Sequence, residues 1–117
     1  MHNFKELKVW QNARLLVKEI YLSTNKFPAE EKFGLISQMR RSSVSIPSNI
    51  AEGSGRRTDK DFVYFSNVSL GSAYELQTLL FLSQDLEFLK VDKTEALNSS
   101  LEEIQKMIYG LIKTIKV

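Results

Sequence analysis

The sequence contains no cysteine and one histidine, and these two shortages exclude several classes of site. Without thiols the chain has neither a disulfide nor a thiolate metal site, and such a composition suits the reducing cytoplasm. The single histidine, His2, stands beside the N-terminus, where we expect neither a general base nor a metal ligand. The Glu-x-x-His pairs of di-iron bundles are absent as well. We therefore predict a protein that is not an enzyme and that uses no cofactor or metal.

Long apolar runs are also missing. Nowhere do eighteen apolar residues follow one another, and the first ten residues, MHNFKELKVW, carry scattered charges where a signal peptide would be apolar. We therefore expect a cytoplasmic protein without membrane contact. No segment alternates between apolar and polar residues, so we predict no strand. We assign residues 1–117 to a single domain, because a chain of this length can bury one core.

The sequence does contain helical periodicity. Apolar residues recur at spacings of three and four, most clearly over residues 97–115, and Asp92 with Glu95 forms a capping-box pattern before them. Thr58 is the expected N-cap of the third helix. Short connections make successive helices antiparallel neighbours, so we predict an all-α, up-down-up-down four-helix bundle. The predicted helices span residues 8–24, 29–52, 59–89 and 92 onward.

The second predicted helix contains poor helix formers in the stretch RRSSVSIPSNIAEGSGRR, residues 40–57. A proline inside a helix costs about 3 kcal/mol. Opposite an apolar arc, this helix carries small hydroxyl and amide side chains, which we interpret as a contact surface for another chain or for a phosphate backbone. The alternative is that these side chains bond the carbonyls of a helix bent at Pro47. The polar arc includes Ser42 and the candidate contact residues Gln38, Ser45, Asn49 and Glu52.

The net charge is only +2, but residues 1–57 carry ten basic and five acidic groups. Arg40 lies at the edge of the apolar arc, so we expect it to pair with a carboxylate, with Glu75 as the candidate. The stretch EGSGRRT lacks the Gly-Lys-Ser/Thr ending of a nucleotide-binding loop. It is either a flexible anion contact at a helix N-terminus or an ordinary turn with solvated arginines. The candidate nucleic-acid-binding residues are Arg41, Arg56, Arg57 and Lys60.

The third predicted helix is apolar on two sides, although a monomeric bundle has only one interior. Exposed apolar stripes mark interfaces, so we predict a homo-oligomer. The alternative is that the N-terminal arm covers the second stripe with Phe4, Leu7 and Trp10. The stripe assigned to the core includes Phe62, Phe65, Leu76, Leu79, Leu80 and Leu86. The second stripe, which is the candidate oligomer interface, consists of Val63, Leu70, Tyr74, Phe81 and Phe88.

Three stretches carry a family resemblance: FKELKVWQNARLLVKEIY, FPAEEKFGLISQMRRSSVSIPSNIAEGSGR and GSAYELQTLL. Together they resemble the four-helix-bundle proteins encoded in intervening sequences of 23S ribosomal RNA genes. The resemblance implies an antiparallel bundle in a cyclic homo-oligomer, a ring of five. In a related branch, the accessory variability determinant proteins of diversity-generating retroelements, a basic pentamer surface binds nucleic acid and a reverse transcriptase. The modest charge of this chain departs from that branch.

Two functional hypotheses from different classes follow. The first is a non-enzymatic oligomer that binds RNA or DNA without sequence specificity through basic residues on the ring. The second is a scaffold or adaptor that binds a protein partner without contacting nucleic acid. Convergence of the four basic candidates on one rim would favour the first hypothesis, whereas burial of the polar arc between subunits would favour the second.

Overall fold

The computed structural model describes residues 2–115, and the regular secondary structure in this part of the chain is helical. Four α-helices follow one another, and this part of the chain contains no strand. The predicted all-helical fold is therefore confirmed. Short 3₁₀ helices over Phe4–Glu6 and Ala29–Glu31 precede the first and second α-helices. The α-helices are α1 (Lys8–Thr24), α2 (Leu35–Ser54), α3 (Asp59–Asp85) and α4 (Val91–Thr114).

A shared aliphatic core joins the helices into a four-helix bundle. Each helix buries residues spaced three and four apart, as in Leu16 and Ile20 of α1 and Leu101, Ile104 and Ile108 of α4. Helix α1 packs on α2, α2 on α3 and α3 on α4, and α4 returns to α1. Of the residues described, none belongs to a helix that is both long and apolar enough to span a membrane.

Two helix boundaries differ from the prediction by four residues or more. Helix α2 begins at Leu35 instead of residue 29, because a 3₁₀ turn follows Pro28 and the Glu31 carboxylate accepts a hydrogen bond from the Leu35 N–H at 3.2 Å. Helix α3 ends at Asp85 instead of residue 89. There the Phe88 N–H donates to the Ser83 carbonyl at 2.9 Å, the Glu87 N–H to Gln84 at 2.9 Å, and Glu87 has φ 65°. This is a Schellman closure, which satisfies carbonyls at a helix end.

The structure confirms the predicted N-cap of α3 but not the predicted capping box of α4. Thr58 caps α3 as predicted, since its Oγ1 accepts from the Asp61 N–H at 3.1 Å. The predicted capping box of α4 is wrong, because the helix already begins at Val91 and its N-cap, Lys90, makes no capping hydrogen bond through its side chain. Asp92 therefore lies inside the first turn, where its carboxylate accepts from the Lys93 N–H at 2.9 Å.

The N-terminal arm packs against α1 and α2, not along the outer side of α3. The rings of Phe4 and Trp10 are 5.1 Å apart and line a groove with Val44, Pro47 and Ala51. The alternative in which these two rings cover the second stripe of α3 is therefore wrong. At the tip of the arm, the His2 N–H donates to the Ser54 carbonyl at 2.9 Å.

Helix α2 continues through Pro47, and several of its polar side chains bond the backbone of the same helix. The Ser43 hydroxyl donates to the Arg40 carbonyl at 2.8 Å, and the Asn49 amide donates to the Ser45 carbonyl at 2.8 Å. Neither bond goes to the Ser43 carbonyl, which is the one that Pro47 leaves without its helical donor, so they do not decide between the contact surface and the local accommodation of the proline.

Small residues also bring α2 and α3 close together. The Ser69 hydroxyl of α3 donates to the Ile46 carbonyl of α2 at 2.9 Å. At Gly53, an added Cβ would lie 2.9 Å from the Phe65 Cβ and 3.0 Å from the Phe62 ring. No side chain larger than hydrogen fits at Gly53 unless the helices separate.

We therefore expect Gly53→Ala to lower the free energy of unfolding by about 1–3 kcal/mol, because overpacking outweighs the better helix propensity of alanine. Gly71→Ala is the matched control, since a Cβ at this position of α3 meets nothing within 4 Å. The control should raise stability by about 0.5–1 kcal/mol. Urea unfolding followed by circular dichroism measures both values. A Gly53→Ala variant as stable as the wild type would contradict the close approach.

Candidate functional site

The connection between α2 and α3 gathers three of the four basic candidates. Gly55 ends α2, and Arg56, Arg57 and Lys60 follow, all exposed. An Arg56 guanidinium nitrogen lies 2.9 Å from the Glu52 carboxylate, and the guanidinium lies 4.9 Å from the centre of the Phe65 ring. Within residues 2–115, Arg57 and Lys60 form no ion pair. We call Arg56, Arg57 and Lys60 the basic corner.

Acidic residues surround the basic corner. Asp59 and Asp61 are exposed in the first turn of α3, and Glu52 holds Arg56. These carboxylates equal the basic groups of the corner in number, so its formal charge is close to zero. Surface charges within a Debye length of about 8–10 Å partly cancel one another for an approaching polyanion. One subunit alone therefore presents a weak anion site.

Arg41 is not part of the basic corner. It precedes Ser54, the last residue of α2, by thirteen residues, which corresponds to about 20 Å along the helix axis. Its guanidinium pairs with Glu75 of α3 at 3.4 Å, and its side chain is 68% exposed. The four basic residues therefore do not converge within one subunit, because Arg41 lies mid-bundle, and their convergence on the rim of an assembled ring stays untested.

Arg40 makes different contacts from those predicted. Its Nε donates to Thr24 Oγ1 at 3.0 Å, a terminal nitrogen donates to Asn25 Oδ1 at 2.9 Å, and its guanidinium lies 4.5 Å from the centre of the Tyr21 ring. The predicted Arg40–Glu75 pair is wrong, because Arg40 projects toward the end of α1. Arg40 thus ties α2 to α1.

The polar arc of α2 divides between α3 and solvent. Ser42 is buried, and the Ser45 hydroxyl lies 2.8 Å from the Ser72 hydroxyl of α3. Ser45 therefore already has a partner in its own chain, because the close packing of α2 on α3 covers this side of the arc. Gln38 and Glu52 are exposed and stay candidate contact residues.

Three members of the predicted oligomer interface pack inside the subunit. Leu70 is 7% exposed and belongs to the core, so its assignment to an outer stripe is wrong. Phe88 lies beyond the end of α3, and its ring packs 5.7 Å from that of Phe27. Val63 is half-buried. A helical wheel cannot detect this packing, because it continues the helix through Phe88 and does not locate the neighbouring helices.

The outer side of α3 nevertheless exposes large apolar residues. Tyr74 is 45% exposed and Phe81 is 50% exposed, as predicted for interface positions. Leu86 was assigned to the core but is 55% exposed, because the helix ends one residue before it. We call the exposed apolar side chains of α3 the outer face. Its members are Tyr64, Val68, Tyr74, Phe81 and Leu82.

Tyr109 of α4 extends the outer face. Desolvation and a hydrogen bond with the Tyr109 hydroxyl raise the pKa of Tyr74 above its usual value. Tyr109 is itself 50% exposed. The periodicity of α4 alone marks Tyr109 as a solvent-facing residue, so its contact with α3 was missed.

Comparisons with known proteins agree on one family. A family profile described as 23S rRNA-intervening sequence protein matches residues 5–110. A crystal structure of a protein of unknown function from the S23 ribosomal protein family of Bacteroides thetaiotaomicron is 27% identical, with a TM-score of 0.83. The alignment covers 91% of this chain and 96% of that one. No curated protein matches the sequence.

The adjacent arginines of α2 allow a matched test of their different environments. Arg40→Ala should lower the free energy of unfolding by about 1–3 kcal/mol, because it removes hydrogen bonds between α1 and α2. Arg41→Ala should change it by no more than about 0.5 kcal/mol, because exposed ion pairs contribute little. Thermal and urea unfolding measure both. Equal losses for the two variants would contradict a special role for Arg40.

Proposed function

The chain belongs to the 23S rRNA-intervening sequence protein family, and from this premise we propose that it is a non-enzymatic antiparallel bundle acting as a homo-oligomeric interaction scaffold. The observation that carries the proposal is the outer face, where α3 exposes five large apolar side chains without cover from the N-terminal arm. Monomeric proteins rarely expose contiguous apolar patches larger than a few hundred Å². A second copy of the chain is the simplest cover for this face.

Contacts between α2 and α3 support the antiparallel part of the proposal. Early α2 meets late α3, where the Ser83 hydroxyl donates to Met39 Sδ at 3.4 Å. Late α2 meets early α3, where an added Cβ at Gly53 would touch Phe62. The α2–α3 and α3–α4 connections, residues 55–58 and 86–90, are short, which also favours antiparallel neighbours. For the number of subunits, five follows from the family resemblance.

Nucleic-acid binding is the second candidate function, and the exposed cations of the basic corner favour it. Arg57 and Lys60 are exposed and have no acidic partner in the described part of the chain. The nearby Asp59 and Asp61 weaken the corner, so one subunit would hold a polyanion poorly. A ring would repeat the corner and multiply its effect. Such binding would be insensitive to sequence, because arginines on loops meet phosphates more readily than base edges.

Phe81→Asp tests the scaffold. We expect this change to dissociate the oligomer and leave the helical content intact, because Phe81 is exposed in the subunit and a carboxylate there would be desolvated in an interface. Leu15→Asp is the matched control, an exposed apolar residue of α1 outside the outer face. Size exclusion with light scattering gives the mass of each variant. A monomeric wild type would overturn the scaffold proposal.

Fluorescence anisotropy across a salt series tests the second candidate. With a labelled RNA hairpin and a DNA duplex, binding should weaken by about 0.9 log units per log unit of salt for each duplex phosphate neutralised. Replacing Arg57 and Lys60 together by alanine should lower this slope by roughly one or two units per engaged subunit. Arg41→Ala, about 20 Å along α2 from the end of the helix that precedes the basic corner, is the control. If no salt-dependent binding is found at about tens of micromolar protein, nucleic-acid binding is rejected and the scaffold is the remaining candidate function.

A further inference from the structure

Phe33 is the most exposed large apolar residue of the described chain, with 88% of its surface accessible. It lies in the connection between α1 and α2, where hydrogen bonds fix the turn that carries it. The Glu31 N–H donates to the Pro28 carbonyl at 2.9 Å, and the Gly34 N–H donates to the Glu31 carbonyl at 3.0 Å. The Lys32 ammonium lies 5.5 Å from the centre of the Phe33 ring. An ordered turn therefore presents an aromatic ring and a cation together.

A groove between α3 and α4 has matching chemistry. It has a volume of about 330 Å³, and its apolar walls include Phe81 and Val91, which are 50% and 56% exposed. Glu95 and Glu102 add two carboxylates to the lining. The groove thus combines an apolar wall with negative charge, which complements the Phe33 ring and the Lys32 cation.

We propose that Phe33 of one copy inserts into the α3–α4 groove of a second copy, with Lys32 facing Glu95. The inference rests on the proposed assembly and names the surfaces that meet in it. Phe33 would cover Phe81, and the Lys32 cation and the Glu95 carboxylate have opposite charges. Charge complementarity of this kind fixes which surfaces pair.

The positions of the two surfaces suit a ring. In an antiparallel bundle, the α1–α2 connection and the groove near the α3–α4 connection lie at the same end. They lie on opposite sides, because α1 with α2 forms one side and α3 with α4 the other. A contact between two different surfaces is heterologous, and it closes into a ring when the rotation per subunit allows. The inserted turn and the groove would then alternate around the ring.

The sequence contains no cysteine, so a thiol-specific cross-linker would react only with cysteines that are introduced. Lys32→Cys and Glu95→Cys are made as separate variants, unfolded together, refolded as a mixture and treated with a short bis-maleimide. We expect a covalent dimer from the mixture and little from either variant alone, because residue 32 meets residue 95 of another copy. A mixture of Lys113→Cys with Glu95→Cys is the control. It also replaces a lysine by cysteine, but Lys113 lies in the last turn of α4, far from the α1–α2 connection that carries Lys32.

The outcomes separate this inference from the scaffold proposal. A dimer confined to the Lys32→Cys and Glu95→Cys mixture supports the insertion. If light scattering finds an oligomeric wild type but this mixture gives no more dimer than the control, the insertion is wrong and the assembly stands. A monomeric wild type overturns both. Independently, Phe33→Ser should raise the dissociation constant of the assembly at least about tenfold, whereas Leu15→Ser should not; equal effects would contradict the insertion.

Discussion

The close approach of α2 and α3 is the constraint on which the rest of the bundle depends. Gly53 has no room for a methyl group, and the Ser69 hydroxyl reaches the Ile46 carbonyl across the contact. Serine tolerates such a site because it is small and its hydroxyl can bond a nearby carbonyl. The serine-rich composition of α2, a poor choice for an isolated helix, is therefore suited to a helix that a close neighbour stabilises.

The same constraint determines where the large side chains of α3 can lie. On the side of α3 that meets α2, Ser69 and Ser72 are small, and the large Phe62 and Phe65 lie where α2 has Gly53. Other bulky residues of α3 lie on its remaining sides. Some of them fill the core, as Leu76 and Leu80 do, while Tyr74 remains outside. The packing of α2 on α3 therefore explains both the close contact between these helices and the apolar side chains that α3 exposes.

Sequence periodicity predicted the helices because it reports which residues share a face, and Lys8–Thr24 was predicted to the residue. It failed where contacts between elements decide the outcome. Arg40 and Arg41 are adjacent and chemically identical, yet one ties α2 to α1 and the other lies in solvent beside Glu75. Leu70 has the spacing of an outer residue but is buried, because the position of the adjacent helices was unknown. Phe33 drew no prediction, because a single aromatic in a turn has no period.

Anion binding by the basic corner depends on repetition in a ring, whereas burial of the exposed apolar residues does not. The basic corner has nearly as many carboxylates as cations, and long-range attraction between exposed groups is screened beyond about 8–10 Å. It therefore needs repetition around a ring before it can hold a polyanion. The outer face and Phe33 need no such multiplication, since each apolar side chain removed from water contributes about 25 cal/mol per Å² in a single contact. In the proposed assembly, oligomer formation would therefore come first, and nucleic-acid binding by the basic corner would follow from the ring.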